Sequence, residues 1–242
     1  MSKPNVQVTP ITDPSDLTRF FEVAAAAFGT QANDGLWTAM SPGWDTPEGK
    51  KNNVSRLTKR LNSTTKDRNG EPNTIFLKAV VNAGTEKEAI AGIAIWAQAS
   101  MVDGYGDVPR YIGEAMDLNE LYPGNEKEQR YVSQLDASLH KRRFEVIREI
   151  ATTSSPAVMV LDLCAVDPAF QRMGVASRLV QWGLDEAKRR GGLEAVLEGS
   201  SMGRHVYRQL GFWQDGDEVG YEVDEEFKDR ERPSNIFMRT GR

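Results

Sequence analysis

Cysteine is almost missing: Cys164 stands alone among 242 residues. That excludes an internal disulfide and a cysteine-built zinc cage. Histidine is nearly as scarce, with only His140 and His205, so a histidine-rich metal site is excluded as well and no metal is expected. There is no basic excess, since 30 Lys and Arg face 35 Asp and Glu for a net charge of −5. An acidic chain lacks the broad basic face that nucleic-acid binding requires. Long apolar runs are missing too. Ala89 to Ala99 is the most apolar stretch, well short of the roughly 20 residues that cross a bilayer. Met1 to Val6 has no apolar run of the signal-peptide kind. These absences predict a soluble, cytoplasmic protein with neither a nucleic-acid nor a membrane partner. Oligomeric state leaves no trace in the sequence.

What is present is a hydrophobic share of 39% and a charged share of 27%, the composition of an ordinary globular chain with material for a core. Val6 to Ile11 reads as a first strand, and Asp13-Pro14-Ser15-Asp16 opens a helix through Phe28. Gly35 to Gly49 reads as a loop with Trp37 and Trp44, followed by a helix from Pro47 to Leu61. Thr74–Asn82 and Ala89–Gln98 read as an antiparallel pair. The segment 103–155 turns strongly charged, and Val132, Leu135, Leu139, Val146 and Ile150 mark one helical stripe. It predicts an insertion of one or two helices. Val158–Val166 reads as a strand, the stretch from Ala176 to Gly191 as a helix, Glu194–Leu197 as a strand and Met202–Leu210 as a helix. Tyr221–Val223 and Asn235–Met238 are the expected closing strands. One domain over 1–242 is expected.

The chemistry concentrates where the strand ending at Val166 runs through Asp167-Pro168-Ala169-Phe170-Gln171-Arg172-Met173-Gly174 into a helix. A helix N-terminus offers unpaired N–H groups and a positive dipole end, which together suit an anion. Gly174 equally suits close packing of that helix. The further glycines of a dinucleotide fingerprint and the Gly-Lys-Ser/Thr of a P-loop are both missing.

The full pattern resembles the GCN5-related N-acetyltransferases, the GNAT superfamily. Gln171-Arg172-Met173-Gly174-Val175-Ala176 is similar to that family's Gln/Arg-x-x-Gly-x-Gly/Ala pyrophosphate loop. Gly203 to Phe212, with Tyr207 and Gly211, resembles its Gly-x-x-x-Tyr-x-x-x-Gly-Phe segment. The resemblance implies an α/β (α+β) fold with a mixed, mostly antiparallel sheet flanked by helices. Here a helical insertion would precede the fourth strand. It implies acetyl-CoA as co-substrate and a primary amine of a small molecule or peptide as acceptor, acetylated by direct attack. A second reading is a degenerate relative that binds acyl-CoA as a sensor without turnover.

Carried onto this chain, the resemblance places the donor's pyrophosphate on Gln171, Arg172, Met173, Gly174, Val175 and Ala176. Pantetheine would lie along Cys164, Ala165 and Val166, with Ser200 and Ser201 opposite. The Val166 N–H would polarise the acetyl carbonyl. Tyr207 takes the position of the family's proton donor to the departing thiolate. With a thiol near pKa 8.5 and a phenol near 10, that transfer is uphill by only about 2 kcal/mol. Asp162, a carboxylate in an apolar strand, is either the general base or a structural carboxylate held by an arginine of the insertion. Trp37 and Trp44 either wall the acceptor pocket or pack at the core's edge. His140, beside Lys141-Arg142-Arg143, reads as part of a solvated helix face, and His205 as a surface residue.

Overall fold

The computed structural model describes residues 5–241; Met1 to Pro4 of the leading segment lie outside the described residues. Seven strands form one sheet in the order β1-β2-β3-β4-β5-β7-β6. They are β1 Val6–Pro10, β2 Thr74–Val81, β3 Ala89–Ala99, β4 Val158–Val166, β5 Glu194–Ser200, β6 Trp213–Glu218 and β7 Asn235–Arg239. Among the strand pairs of the described residues, only β4–β5 is parallel. A parallel pair needs a crossover, and the helix α7, Val175–Arg189, supplies it.

Helices cover both faces, which explains why β2, β3 and β4 read as nearly continuous apolar runs. On one face α7 sets Val175, Leu179 and Val180 against Leu77, Trp96, Met159 and Leu161. On the other, α1 (Asp16–Ala24) sets Leu17, Phe20 and Phe21 against Phe76, Ile93 and Ile95. Next to α1 on that face, the 25-residue helix α6, Glu126–Ile150, packs Val146 and Ile147 on Val158, Val160, Val196 and Phe237.

The expected α/β sheet is the observed one, with several differences in detail. The stretch read as a loop contains a short helix, α2 (Gly35–Met40), because Asp34 caps it by accepting the Leu36 and Trp37 N–H groups at 3.0 and 2.9 Å. A helix α3 covers Pro47–Asn62, as expected. Between β3 and β4 lie three helices rather than one or two: α4 (Ile112–Ala115), α5 (Leu118–Leu121) and α6. The first closing strand is Trp213–Glu218 rather than Tyr221–Val223. Its sequence, Trp-Gln-Asp-Gly-Asp-Glu, carries no alternating pattern, because an edge strand paired only to β7 buries little of either face. The segment after it returns across α6, where Phe227 is fully buried against Tyr131 and Leu135. A short helix α8, Arg204–Gln209, precedes β6. Among the described residues no helix is long and apolar enough to cross a membrane.

Candidate active site

Two glycines let α7 settle closely on the sheet and so place the loop before it. A Cβ on Gly183 would fall 1.9 Å from the Trp96 indole, and one on Gly92 would fall 2.5 Å from Val175. Trp96 Nε1 donates to the Leu179 carbonyl at 3.3 Å. At the N-terminus of α7 stands Gly174, with φ +83° and no side chain to cap the helix. A Cβ there would meet nothing within 4 Å, so the glycine serves its left-handed backbone rather than close packing. Arg172 is also left-handed, with φ +65°. The Arg178 N–H reaches the Gly174 carbonyl at 3.2 Å. The amides of Val175, Ala176 and Ser177 precede it and have no partner within the helix. The loop is held from behind by Arg19, whose Nη2 lies 2.5 Å from Asp167 Oδ2. The Gln171 side chain is engaged as well. Its Nε2 donates to Gln31 Oε1 at 2.7 Å, and Gln31 Nε2 donates back at 3.1 Å. Gln31 ends a π-helical continuation of α1, Ala25–Gln31, a distortion that concentrates at functional sites. Arg172 and Met173 are exposed at the mouth of the loop.

Beside this loop the sheet splits. Parallel pairing of β4 and β5 runs from Val158–Glu194 to Leu161–Leu197 and stops. Each strand continues with its outer neighbour, β4 with β3 to Val166 and β5 with β7 to Ser200. Cys164, Ala165 and Val166 therefore edge one side of the gap. Ser200 edges the other, inside β5 rather than past its end, and Ser201 follows in the turn. Tyr207 of α8 is buried near this gap, its ring 6.1 Å from Phe212 in an edge contact. Gly203 makes room for it, since a Cβ there would fall 2.6 Å from Tyr207 Cε2. Burial pushes the phenol upward, with the neighbouring Cys164 adding to the shift, so it stays protonated. Burial also pushes the Cys164 thiol up to about 12, which leaves it a poor nucleophile. An extended ligand with a diphosphate head fits this combination of unpaired helix amides and an open strand edge.

On the α6 face of the same split, the register of β4 against β3 slips, pairing Ile95 with Leu163 but Trp96 with Leu161. Asp162 is the extra residue of that bulge, a feature that redirects side chains beside active sites. Arg60 of α3 reaches its Oδ2 at 2.8 Å and Arg143 of α6 its Oδ1 at 3.0 Å. Burial alone would raise the Asp162 carboxyl, but Arg60, Arg143 and His140 outweigh it and hold it well below the usual carboxylate range. Arg143 also forks onto the buried Glu198 of β5 through Nε, at 3.0 Å, and Nη2. His140 is not on a solvated face. Its Nδ1 lies 3.0 Å from Oδ1 of the buried Asp136, and its ring stacks on Phe144. His205 is exposed, as expected. Trp37 stacks between Phe21 and Phe28, each 5.9 Å away, with Trp44 edge-on. Both tryptophans belong to the α1 core.

The crossover helix has an uncapped, glycine-led N-terminus and stands beside two splayed strands. Residues 118–212 match the family model described as Acetyltransferase (GNAT) family. The match begins at α5, inside the segment expected to be an insertion. No curated protein matches the sequence. Among solved structures, the fold is similar to a mosquito arylalkylamine N-acetyltransferase-like 5b, with 14% identity, 97% of this chain and 99% of that chain covered, and a TM-score of 0.61. It is similar to the Drosophila melanogaster polyamine N-acetyltransferase that forms N-acetylagmatine, at 12% identity, 97% and 98% coverage and a TM-score of 0.61. Arylalkylamine N-acetyltransferase 2 from Aedes aegypti shares 17% identity over 97% and 98% of the two chains, with a TM-score of 0.56.

Proposed function

We propose that the protein is an acetyl-CoA-dependent N-acetyltransferase that acetylates a primary amine of a small molecule or peptide by direct attack. The observation that carries this reading is the split between β4 and β5 beside the left-handed Gly174 loop, with Tyr207 buried at its side. The donor, when bound, supplies the activated acetyl group. The amides from Met173 to Ala176 hold its diphosphate, each charge-assisted bond worth about 1.5–3 kcal/mol. Arg172 adds charge at the loop mouth. Gln171 acts from behind, bracing the loop against Gln31. The free edge of Cys164, Ala165 and Val166 pairs with the pantetheine amides, and Ser200 and Ser201 close the other side. Tyr207 gives a proton to the departing thiolate. Of the two roles open to Asp162, we assign the structural one, because both its oxygens are taken by arginines. The named acceptors of the fold relatives, arylalkylamines and agmatine, are small amines, which favours a small-amine acceptor here. We read residues 1–242 as one such domain, with 103–155 set into it before β4, acting in the cytoplasm without a metal.

Release of free CoA from acetyl-CoA across a panel of primary amines tests the reading. Tyr207→Phe is expected to lower turnover by about 10²–10⁴-fold, the range of a lost general acid, while CoA affinity by calorimetry stays within about threefold. CoA binding without turnover on any amine would instead make the protein a sensor.

A further inference from the structure

The amine has to lose a proton before it attacks, and the carboxylate at the bulge is already engaged. Helix α6 presents Asp136, His140 and Arg143 at three- and four-residue steps, which places them on one helix face. Apolar positions on the same helix, Leu135, Leu139, Val146 and Ile147, are buried. Asp136 is 4% exposed and spends both carboxylate oxygens within the protein. Oδ2 accepts the Ile112 N–H at 2.7 Å, and Oδ1 lies 3.0 Å from His140 Nδ1. A carboxylate on Nδ1 sets the imidazole tautomer, leaving the lone pair on Nε2. Among the described residues Nε2 meets no hydrogen-bond partner. One turn further on, Arg143 grips Asp162 and Glu198, which follow the last paired residues Leu161 and Leu197 where the strands part. His140 lies near enough to Asp162 to act on its charge. Asp162 is bound at both oxygens by Arg60 and Arg143, and Glu198 at both by Arg143. The imidazole Nε2 is a proton acceptor left open, and a second is Oδ2 of Asp34, whose Oδ1 caps α2.

We propose that His140, oriented by Asp136, is the general base that takes the proton from the acceptor amine. This rests on the acetyltransferase reading above and assigns the acceptor side of the same site. The ammonium nitrogen passes one proton to Nε2, directly or through one water. Its freed electron pair forms the C–N bond to the acetyl carbon, and the C–S bond breaks. The thiolate sulfur keeps that electron pair and takes a proton from Tyr207. The phenolate regains one from the amide nitrogen as it neutralises, and the imidazolium releases its proton to solvent. The net products are the N-acetyl amine, CoA thiol and one proton. Around the imidazole, Asp136 lies on Nδ1 and Phe144 stacks on the ring, with Tyr111 packed on Phe144 in turn. Asp162 of β4 is within reach of its charge and is bound by Arg60 of α3 and Arg143 of α6, which also holds Glu198 of β5.

The experiment is the pH profile of kcat/KM for the full chain at saturating acetyl-CoA, with agmatine and tryptamine as probe amines. His140→Gln is expected to lower kcat/KM by about 10²-fold at pH 7, with most of the loss recovered near pH 10, where the amine is neutral unaided. The acid limb of the profile disappears, and the KM for acetyl-CoA is unchanged. Asp136→Asn, which keeps the ring but not its tautomer, should lower kcat/KM at least tenfold and move that limb. Equal activity in a His140→Gln protein that binds CoA would overturn the assignment. So would the same fractional loss at every pH, or an acid limb that vanishes in Asp34→Asn instead. No CoA release by the unsubstituted protein with either probe or any panel amine would overturn the transferase reading itself, and the inference with it.

Discussion

Gly174 is marked by its loop pattern, and close helix packing would explain a glycine there. The structure gives no packing neighbour within 4 Å of a Cβ at that position, and a φ of +83°. Gly174→Ala should therefore cost about 1–2 kcal/mol of stability, the strain of a left-handed non-glycine residue. Urea melts check that, and calorimetry with CoA should show weaker binding as the loop relaxes. The place of Tyr207 on a short helix before Phe212 was legible because a local motif surrounds it. The half-buried setting of His140 was not, since a lone histidine before Lys141-Arg142-Arg143 reads as solvent-facing. The signal was Asp136, four residues earlier, flanking the apolar stripe of Leu135 and Leu139. It acquires meaning only when that flank is known to face the sheet.

Elements with a strong period were read closely. β4 begins and ends where its apolar run does, because both of its faces are covered. α3 and α7 follow their caps and stripes. The failures are short or polar elements whose partners lie far away in sequence. α2 hangs on the Asp34 cap, and β6 is held by β7 alone. The seat of α7 is a second property set by contact at a distance. Gly183 lies 87 residues from the Trp96 indole it admits. Gly183→Ala should destabilise the fold by about 1–3 kcal/mol through overpacking, seen in denaturant melts. Because α7 carries the loop proposed to hold the donor, CoA affinity should fall with it.

For the whole molecule, the Arg60–Asp162–Arg143–Glu198 chain joins α3, α6, β4 and β5 where the sheet opens. No sequence pattern announces it, since Arg143 and Glu198 lie 55 residues apart. Asp162 is depressed in the folded state. Its contribution is therefore full above the unfolded carboxylate pKa of about 3.9 and is lost as pH falls through the lower folded value. Arg143→Met leaves the Glu198 carboxylate in place without its cation, costing about 3–5 kcal/mol near neutrality, which urea melts at pH 7 measure.

The strand order has a consequence for how the chain is made. β7 is inserted between β5 and β6 although it is the last of the three to be synthesised. β6 thus leaves the ribosome before β7, the strand it pairs with, exists. At about 5–20 residues per second, it waits on the order of one to a few seconds with both edges open. A strand that must wait is safest when it is a poor template for another chain. Three acidic residues and a central glycine in Trp213–Glu218 make it one.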